Sequence, residues 1–156
     1  MVDARIDFDV DASGRATALT LHQNGRDQRA ERLDDAEAKR VADESAAKAD
    51  AIAKRFKEQL PAPGSEAALR RAIDELQRGQ PDYSQMSPAF AEVTRQQLPN
   101  LKEAILQLGT LNSVTFKGVG PGGRDIYEVK FEKGLTEWRI GLMPDGKIEG
   151  IGFRPL

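Results

Sequence analysis

The pattern of apolar and polar positions changes character twice along the 156-residue chain. Residues 5–10 (RIDFDV) and 16–21 (ATALTL) alternate polar and apolar side chains, and the DASG between them is typical of a turn. This alternation predicts a β-hairpin. Because two strands alone are marginally stable in water, the hairpin should pair or pack with another part of the protein.

A helical period follows the hairpin. Asp34 with Glu37 three positions later is typical of a capping box, and it predicts a long helix over 34–60 that Pro61 ends. The segment is rich in alanine and carries only a thin apolar stripe, so the helix should be modestly buried. The stripe consists of Val41, Ile52, Phe56 and Leu60.

Shorter helices are predicted next. Ser65 is a candidate N-cap for a helix over 66–78, which the following glycine and a nearby proline end. Ser87, followed by a proline, predicts the start of a third helix. Pro99 predicts the start of a fourth helix that ends at Gly109.

From residue 111 the period changes to two, and four strands with short connections follow: LNSVTFKGV, DIYEVKF, TEWRIGL and KIEGIGF. Short connections make antiparallel neighbours. The fold class predicted is α+β: an N-terminal β-hairpin, a long helix, then helices packed on a four-stranded antiparallel meander sheet. A cone-like sheet, similar to that of cystatins or nuclear transport factors, would fit. The predicted division is a hairpin over 1–33, a linker helix over 34–60 and an α+β module over 61–156.

Composition removes several function classes. Lys and Arg number 23 against 25 Asp and Glu, with no basic half, so nucleic acid and anionic membranes are not expected partners. No cysteine is present, which excludes disulfides and thiolate metal sites. The single histidine, His22, excludes a histidine metal cluster. No segment is apolar enough for membrane insertion, and the first residues lack the apolar stretch of a signal peptide.

The stretch GVGPGGRD places Gly118, Gly120 and Gly123 at the G-x-G-x-x-G spacing of dinucleotide-binding loops. Such a loop needs a helix after it, because the helix N-terminus carries the anion site. Here a predicted strand follows, and Pro121 removes one of the amides. The stretch therefore predicts a glycine-rich hairpin turn, and we expect no cofactor.

Three further motifs are short and incomplete. Ser45 and Lys48 form the S-x-x-K of β-lactamases, but its partner motifs are missing and a solvated helix face is favoured. Residues 9–14 (DVDASG) match half of a calcium loop, yet Thr20 stands where the bidentate glutamate belongs, so a turn is favoured and no metal is expected. No acidic or nucleophilic residue stands near His22 at a spacing typical of a catalytic motif.

Tyr127 and Trp138 lie on adjacent predicted strands, and Glu137 and Arg139 flank the tryptophan. If the sheet curls around a cavity, then Tyr127, Glu137 and Trp138 are the candidate ligand-binding residues. An isomerase-like site would pair Tyr127 with Glu137 or Asp125, whose pKa an apolar cavity would raise. The alternative is that the tryptophan belongs to the core and that Glu137 and Arg139 are solvated cross-strand partners.

Two stretches resemble parts of a known family. Residues 7–33, with their aspartate-glycine turn and HQNG, look like the closing strands of the small β-domain that follows the catalytic domain in bacterial β-lactamase-related serine hydrolases. Residues 118–155, with the Tyr-x-Val strand, the Glu-Trp strand and the DGKI turn, resemble a further C-terminal module of such hydrolases. Together the two stretches cover about half of the chain.

The resemblance implies a non-catalytic accessory region. The catalytic residues of those hydrolases belong to an upstream domain, so no catalytic residue carries over and the chain is not expected to be an enzyme on its own. The implied partner is a covalently linked or docked hydrolase domain, with a homodimer as the alternative. A periplasmic or exported parent protein is implied, although a cytoplasmic one also fits the composition.

The accessory role also predicts a structural feature: an apolar surface should be exposed near residues 5–21. The competing hypothesis is a small-molecule binding or isomerase-like module on the concave side of the sheet.

Overall fold

The computed structural model describes residues 4–156, and it confirms the α+β class. The chain divides into two compact units, one reaching to Lys48 and the other starting at Ala49, so the boundary falls within the first helix. Among the described residues, no helix is both long and apolar enough to cross a membrane.

The first unit contains an antiparallel three-stranded sheet. The predicted hairpin is present as β1 (Ala4–Val10) and β2 (Ala16–Gln23). A third strand, β3 (Arg26–Glu31), pairs with β2 and was not predicted, because its sequence RDQRAE has almost no apolar alternation. The turn before it consists of Asn24 and Gly25, both at positive φ, which is the two-residue hairpin turn that Asn-Gly favours.

The long helix is α1 (Asp35–Glu58), and it contains no buried residue. Its start follows the prediction, since a carboxylate oxygen of Asp34 accepts a hydrogen bond from the backbone N–H of Glu37 at 2.7 Å. The helix ends at Gln59, which adopts a left-handed conformation with φ of 53°.

The second helix, α2 (Ser65–Arg78), begins differently from the prediction. Gly64, in the left-handed region with φ of 78°, is the N-cap, and Ser65 is the first helical residue. Ser65 was wrongly predicted as the cap: its side chain is buried, and Oγ lies 2.6 Å from the hydroxyl oxygen of Tyr127. The predicted end is confirmed, because Gly79 closes the helix in the left-handed conformation.

The two helices predicted on either side of Pro99 are one helix, α3 (Pro88–Gln107). Its start is as predicted, since Ser87 Oγ accepts a hydrogen bond from a backbone amide in the first turn. A proline inside a helix costs about 3 kcal/mol. The helix nevertheless continues because Leu98 and Leu101 pack on the core and Ile105 is fully buried. Burial of one such side chain already contributes about 1.5–3 kcal/mol.

The four predicted strands are present as β4 (Leu111–Val119), β5 (Asp125–Phe131), β6 (Gly134–Leu142) and β7 (Ile148–Pro155). They form one antiparallel sheet in the order β4-β5-β6-β7. Helices α2 and α3 pack on one face of this sheet and create the main core with it. Side chains at alternate positions of β5 and β6 point into this core.

Candidate ligand-binding site

Tyr127 and Trp138 are directly opposite each other on β5 and β6, and both are fully buried on the helix side of the sheet. The Trp138 ring stacks on Phe153 with 4.5 Å between ring centroids, and its Nε1 donates a hydrogen bond to Thr136 Oγ1 at 2.8 Å. The Tyr127 hydroxyl is bound to Ser65, and burial raises the pKa of this phenol. Both rings are therefore part of the hydrophobic core.

Glu137 lies on the opposite face of the sheet from Tyr127 and Trp138. Its carboxylate accepts hydrogen bonds from Arg139 at 2.9 Å and from Arg154 at 3.1 and 3.0 Å. The hydrogen bond from Arg154, helped by that from Arg139, holds the pKa of Glu137 below its usual value. The structure therefore does not bring the three predicted ligand-binding residues together.

Asp125 shares the inner face with Tyr127, but its carboxylate is already bound. One oxygen accepts a hydrogen bond from Arg55 Nη2 at 2.5 Å, and the other accepts from the backbone N–H of Ala62 at 2.8 Å. Arg55 also donates to the carbonyl of Gly123 at 2.6 Å. This buried carboxylate thus ties the last turn of α1 to the β4–β5 hairpin.

The glycine-rich stretch is a hairpin connection, as its sequence context predicts. The N–H of Gly120 donates to the carbonyl of Arg124, and the N–H of Gly123 donates to the carbonyl of Gly120, both at 2.9 Å. Gly118 and Gly123 have positive φ. Gly118 also has a role that the spacing does not reveal, since a Cβ there would lie 2.5 Å from the side-chain oxygen of Gln59. The glycines let the end of α1 approach the hairpin.

The calcium-loop-like segment, the S-x-x-K segment and His22 lie in a turn, on an exposed helix and on a strand, respectively. Asp11 accepts hydrogen bonds from Ser13 and from the backbone of Arg15, which makes DVDASG a tight turn. No cluster of metal-ligating side chains occurs among the described residues. Ser45 lies on an exposed part of α1. His22 lies between two carboxylates, with Nδ1 2.7 Å from Asp27 and Nε2 3.2 Å from Asp7.

A cavity of about 250 Å³ opens between α2, α3 and β7. Trp138 and Phe153 contribute one wall, Phe90 and Leu76 contribute the helical walls, and Met86 lies between them. The backbone at Met86 forms a bridge with Ile148, which fixes the start of α3 against the edge strand β7.

None of the described residues that line this cavity carries a charge. The Thr94 hydroxyl donates to the carbonyl of Phe90 at 2.8 Å and is thereby satisfied. The Gln97 side chain is exposed at the cavity and makes no hydrogen bond within the described part of the chain. The cavity can therefore accept an apolar group and one hydrogen-bonding substituent.

The α3 wall of this cavity was not predicted. Four α3 residues of this wall follow the helical spacing i, i+4, i+7, i+11, and two of them are polar: Phe90, Thr94, Gln97 and Leu101. That glutamine is a recognisable signal. The expected helix break at Pro99 separated Leu101 from the rest and concealed the stripe.

The sheet of the first unit has one apolar face. Ile6, Phe8 and Val10 of β1 share this face with Leu19 and Leu21, which lie directly across from Phe8 and Ile6 on β2. The three β1 side chains are 52, 61 and 62% exposed. A sheet whose apolar face is this exposed is typical of an interaction surface.

The opposite face of the same sheet is charged. Arg29 pairs with Asp9, Arg5 pairs with Asp7, and His22 approaches Asp7 from the neighbouring strand. The two faces therefore differ sharply in chemistry, and only the apolar one gains from being covered.

Comparison of the chain with protein-family models, with curated proteins and with solved structures gave no match.

Proposed function

We propose that this chain is a non-catalytic accessory region of a bacterial β-lactamase-related serine hydrolase. In this proposal the N-terminal sheet completes or covers a β-domain of the hydrolase through its apolar face. The observation that carries the proposal is the exposure of Ile6, Phe8 and Val10. An apolar surface near these residues is what the resemblance of residues 7–33 to a β-domain tail implies.

The candidate catalytic groups support a non-catalytic role. Ser45 lies on an exposed helix face, and Asp125 is held by Arg55 and a backbone amide. A nucleophilic serine acts in a site that excludes water and supplies oxyanion donors, whereas Ser45 and Lys48 are both exposed on α1. Hydrolysis is thus assigned to the hydrolase domain, and the parent protein is expected to be periplasmic or exported.

The test is binding of the purified chain to a purified β-lactamase-related hydrolase of the same organism, measured by titration calorimetry. Phe8→Asp places a charge in the apolar face and should weaken binding at least tenfold. Thr20→Asp places the same charge on the opposite face, between Arg29 and Asp7, and should leave the affinity unchanged. Far-UV circular dichroism confirms that both variants fold.

Three results would contradict the proposal. The first is absence of binding to such hydrolases, and the second is equal binding by the Phe8→Asp and Thr20→Asp variants. The third is labelling of a serine in the isolated chain by a fluorophosphonate. Self-association that Phe8→Asp abolishes would instead assign the apolar face to a homodimer.

The alternative function, binding of a small molecule on the helix side of the sheet, is favoured by the cavity beside Trp138. Isomerase chemistry has less support there. The carboxylate of Asp125 is bound by Arg55, and Glu137 lies on the other face of the sheet.

A further inference from the structure

We infer that the cavity between α2, α3 and β7 is a binding site for a small, uncharged aromatic molecule with a hydrogen-bonding substituent. This inference does not depend on the proposed accessory role, since the cavity lies wholly within the second unit. The size of the cavity, its uncharged lining and the side-chain amide of Gln97 support the inference.

The size of the cavity matches one or two aromatic rings. Its volume is about 250 Å³. An apolar protein cavity of about 150 Å³ stays dry and binds benzene. The present cavity is larger than that, so it has room for a ring and a substituent.

The lining selects against charge and favours an aromatic ring. A charged ligand would lose its hydration without gaining an ionic partner, because no lining residue is ionisable. Three aromatic side chains, Phe90, Trp138 and Phe153, surround the space, and Met86 adds a polarisable thioether. Aromatic rings favour offset or edge-to-face contacts with one another, and sulfur adds favourable contacts with ring edges.

Gln97 sets the orientation of the ligand. It is exposed at the cavity, its amide can both donate and accept, and the neighbouring Thr94 hydroxyl is already used. The ring therefore enters toward Trp138, and a hydroxyl or carbonyl substituent stays near Gln97.

The test uses the single tryptophan of the chain. Its indole N–H gives one cross-peak in a ¹H–¹⁵N correlation spectrum, and Trp138 lines the cavity. Titration with phenol should shift this cross-peak saturably, whereas benzoate and cyclohexanol at the same concentrations should not. Absence of a phenol-induced shift would overturn the inference, and an equal shift with cyclohexanol would overturn the aromatic class.

Matched variants locate the site. Val93 lines the cavity and is 46% exposed, so Val93→Glu and Val93→Lys should fold and should weaken phenol binding at least tenfold. Leu106 lies on the same helix, is 50% exposed and does not line this cavity, so Leu106→Glu is the control and should keep wild-type affinity. Gln97→Ala should weaken phenol more than it weakens toluene. Equal effects of the Val93 and Leu106 substitutions would overturn the assignment.

Discussion

The bond between Arg55 and Asp125 offers a sharp test of how the second unit is held together. Asp125 is 1% exposed and the Arg55 side chain 30%. Removing one partner of a fully buried ion pair costs about 3–5 kcal/mol, because the remaining charge is left buried and unpaired. Since Arg55 is partly solvated, we expect Arg55→Met to lower the free energy of unfolding by about 2–3 kcal/mol.

Urea denaturation followed by Trp138 fluorescence measures this loss, since the only tryptophan lies in the core of the same unit. The midpoint should fall by about 1–2 M. Asp125→Asn removes the buried charge, so the double variant should be less destabilised than the sum of the single variants by at least about 1 kcal/mol.

A neighbouring surface pair provides the control. Lys54 Nζ lies 3.9 Å from Glu58 Oε1, and the Lys54 side chain is 74% exposed. Lys54→Met should therefore change stability by less than about 0.5 kcal/mol. If Arg55→Met costs no more than Lys54→Met, or if the double variant is strictly additive, Arg55 does not stabilise the protein by neutralising a buried charge.

Three further predictions concern the sheet and its connection. Gly123→Ala should destabilise the protein by about 1–2 kcal/mol in thermal melts, because φ at this position is +73°. Gly122 has open space around it and no positive φ, so the stability of Gly122→Ala should lie within about 0.5 kcal/mol of wild type. Tyr127→Phe should lower the free energy of unfolding by about 1–2 kcal/mol, because it leaves the buried Ser65 hydroxyl unpaired. Because the folded-state pKa of Tyr127 is raised, the wild type should lose stability as pH rises past the ordinary tyrosine pKa of 10.0, and Tyr127→Phe should remove this loss. The pKa of Glu137 is lowered in the folded protein, so the melting temperature of Glu137→Gln should lie below wild type at pH 7, and this difference should shrink as pH falls from the ordinary pKa of 4.5 through the lower folded-state pKa.

Much of the fold follows from local rules that the sequence displays. The period-two segments after residue 111 form the sheet, and the caps at Asp34 and Ser87 start helices because their side chains satisfy free backbone amides. At Ser65 and at Pro99 the prediction failed because tertiary contacts outweighed a local preference. Pro99 remained inside α3 because apolar side chains on both sides of it are buried.

The candidate site was less predictable than the fold. Alternation places Tyr127 and Trp138 on one face and Glu137 on the other, but it does not distinguish a packed face from one that encloses a cavity. The partner of Asp125 was also hidden, because Arg55 is 70 residues away and belongs to a helix without buried residues.

The attachment of the last turn of α1 to the β4–β5 hairpin should produce a gradient of amide hydrogen exchange along the helix. Its last turn is held by Arg55 and by Gln59, whose side-chain amide both donates to and accepts from the backbone of Val119. Forming a first turn is the costly step of helix formation, and each added residue then extends it cheaply. The anchored turn supplies that nucleus, so amides near Arg55 should exchange slowest. Protection should then decline along the solvated turns near Val41, where helix hydrogen bonds have no burial to support them.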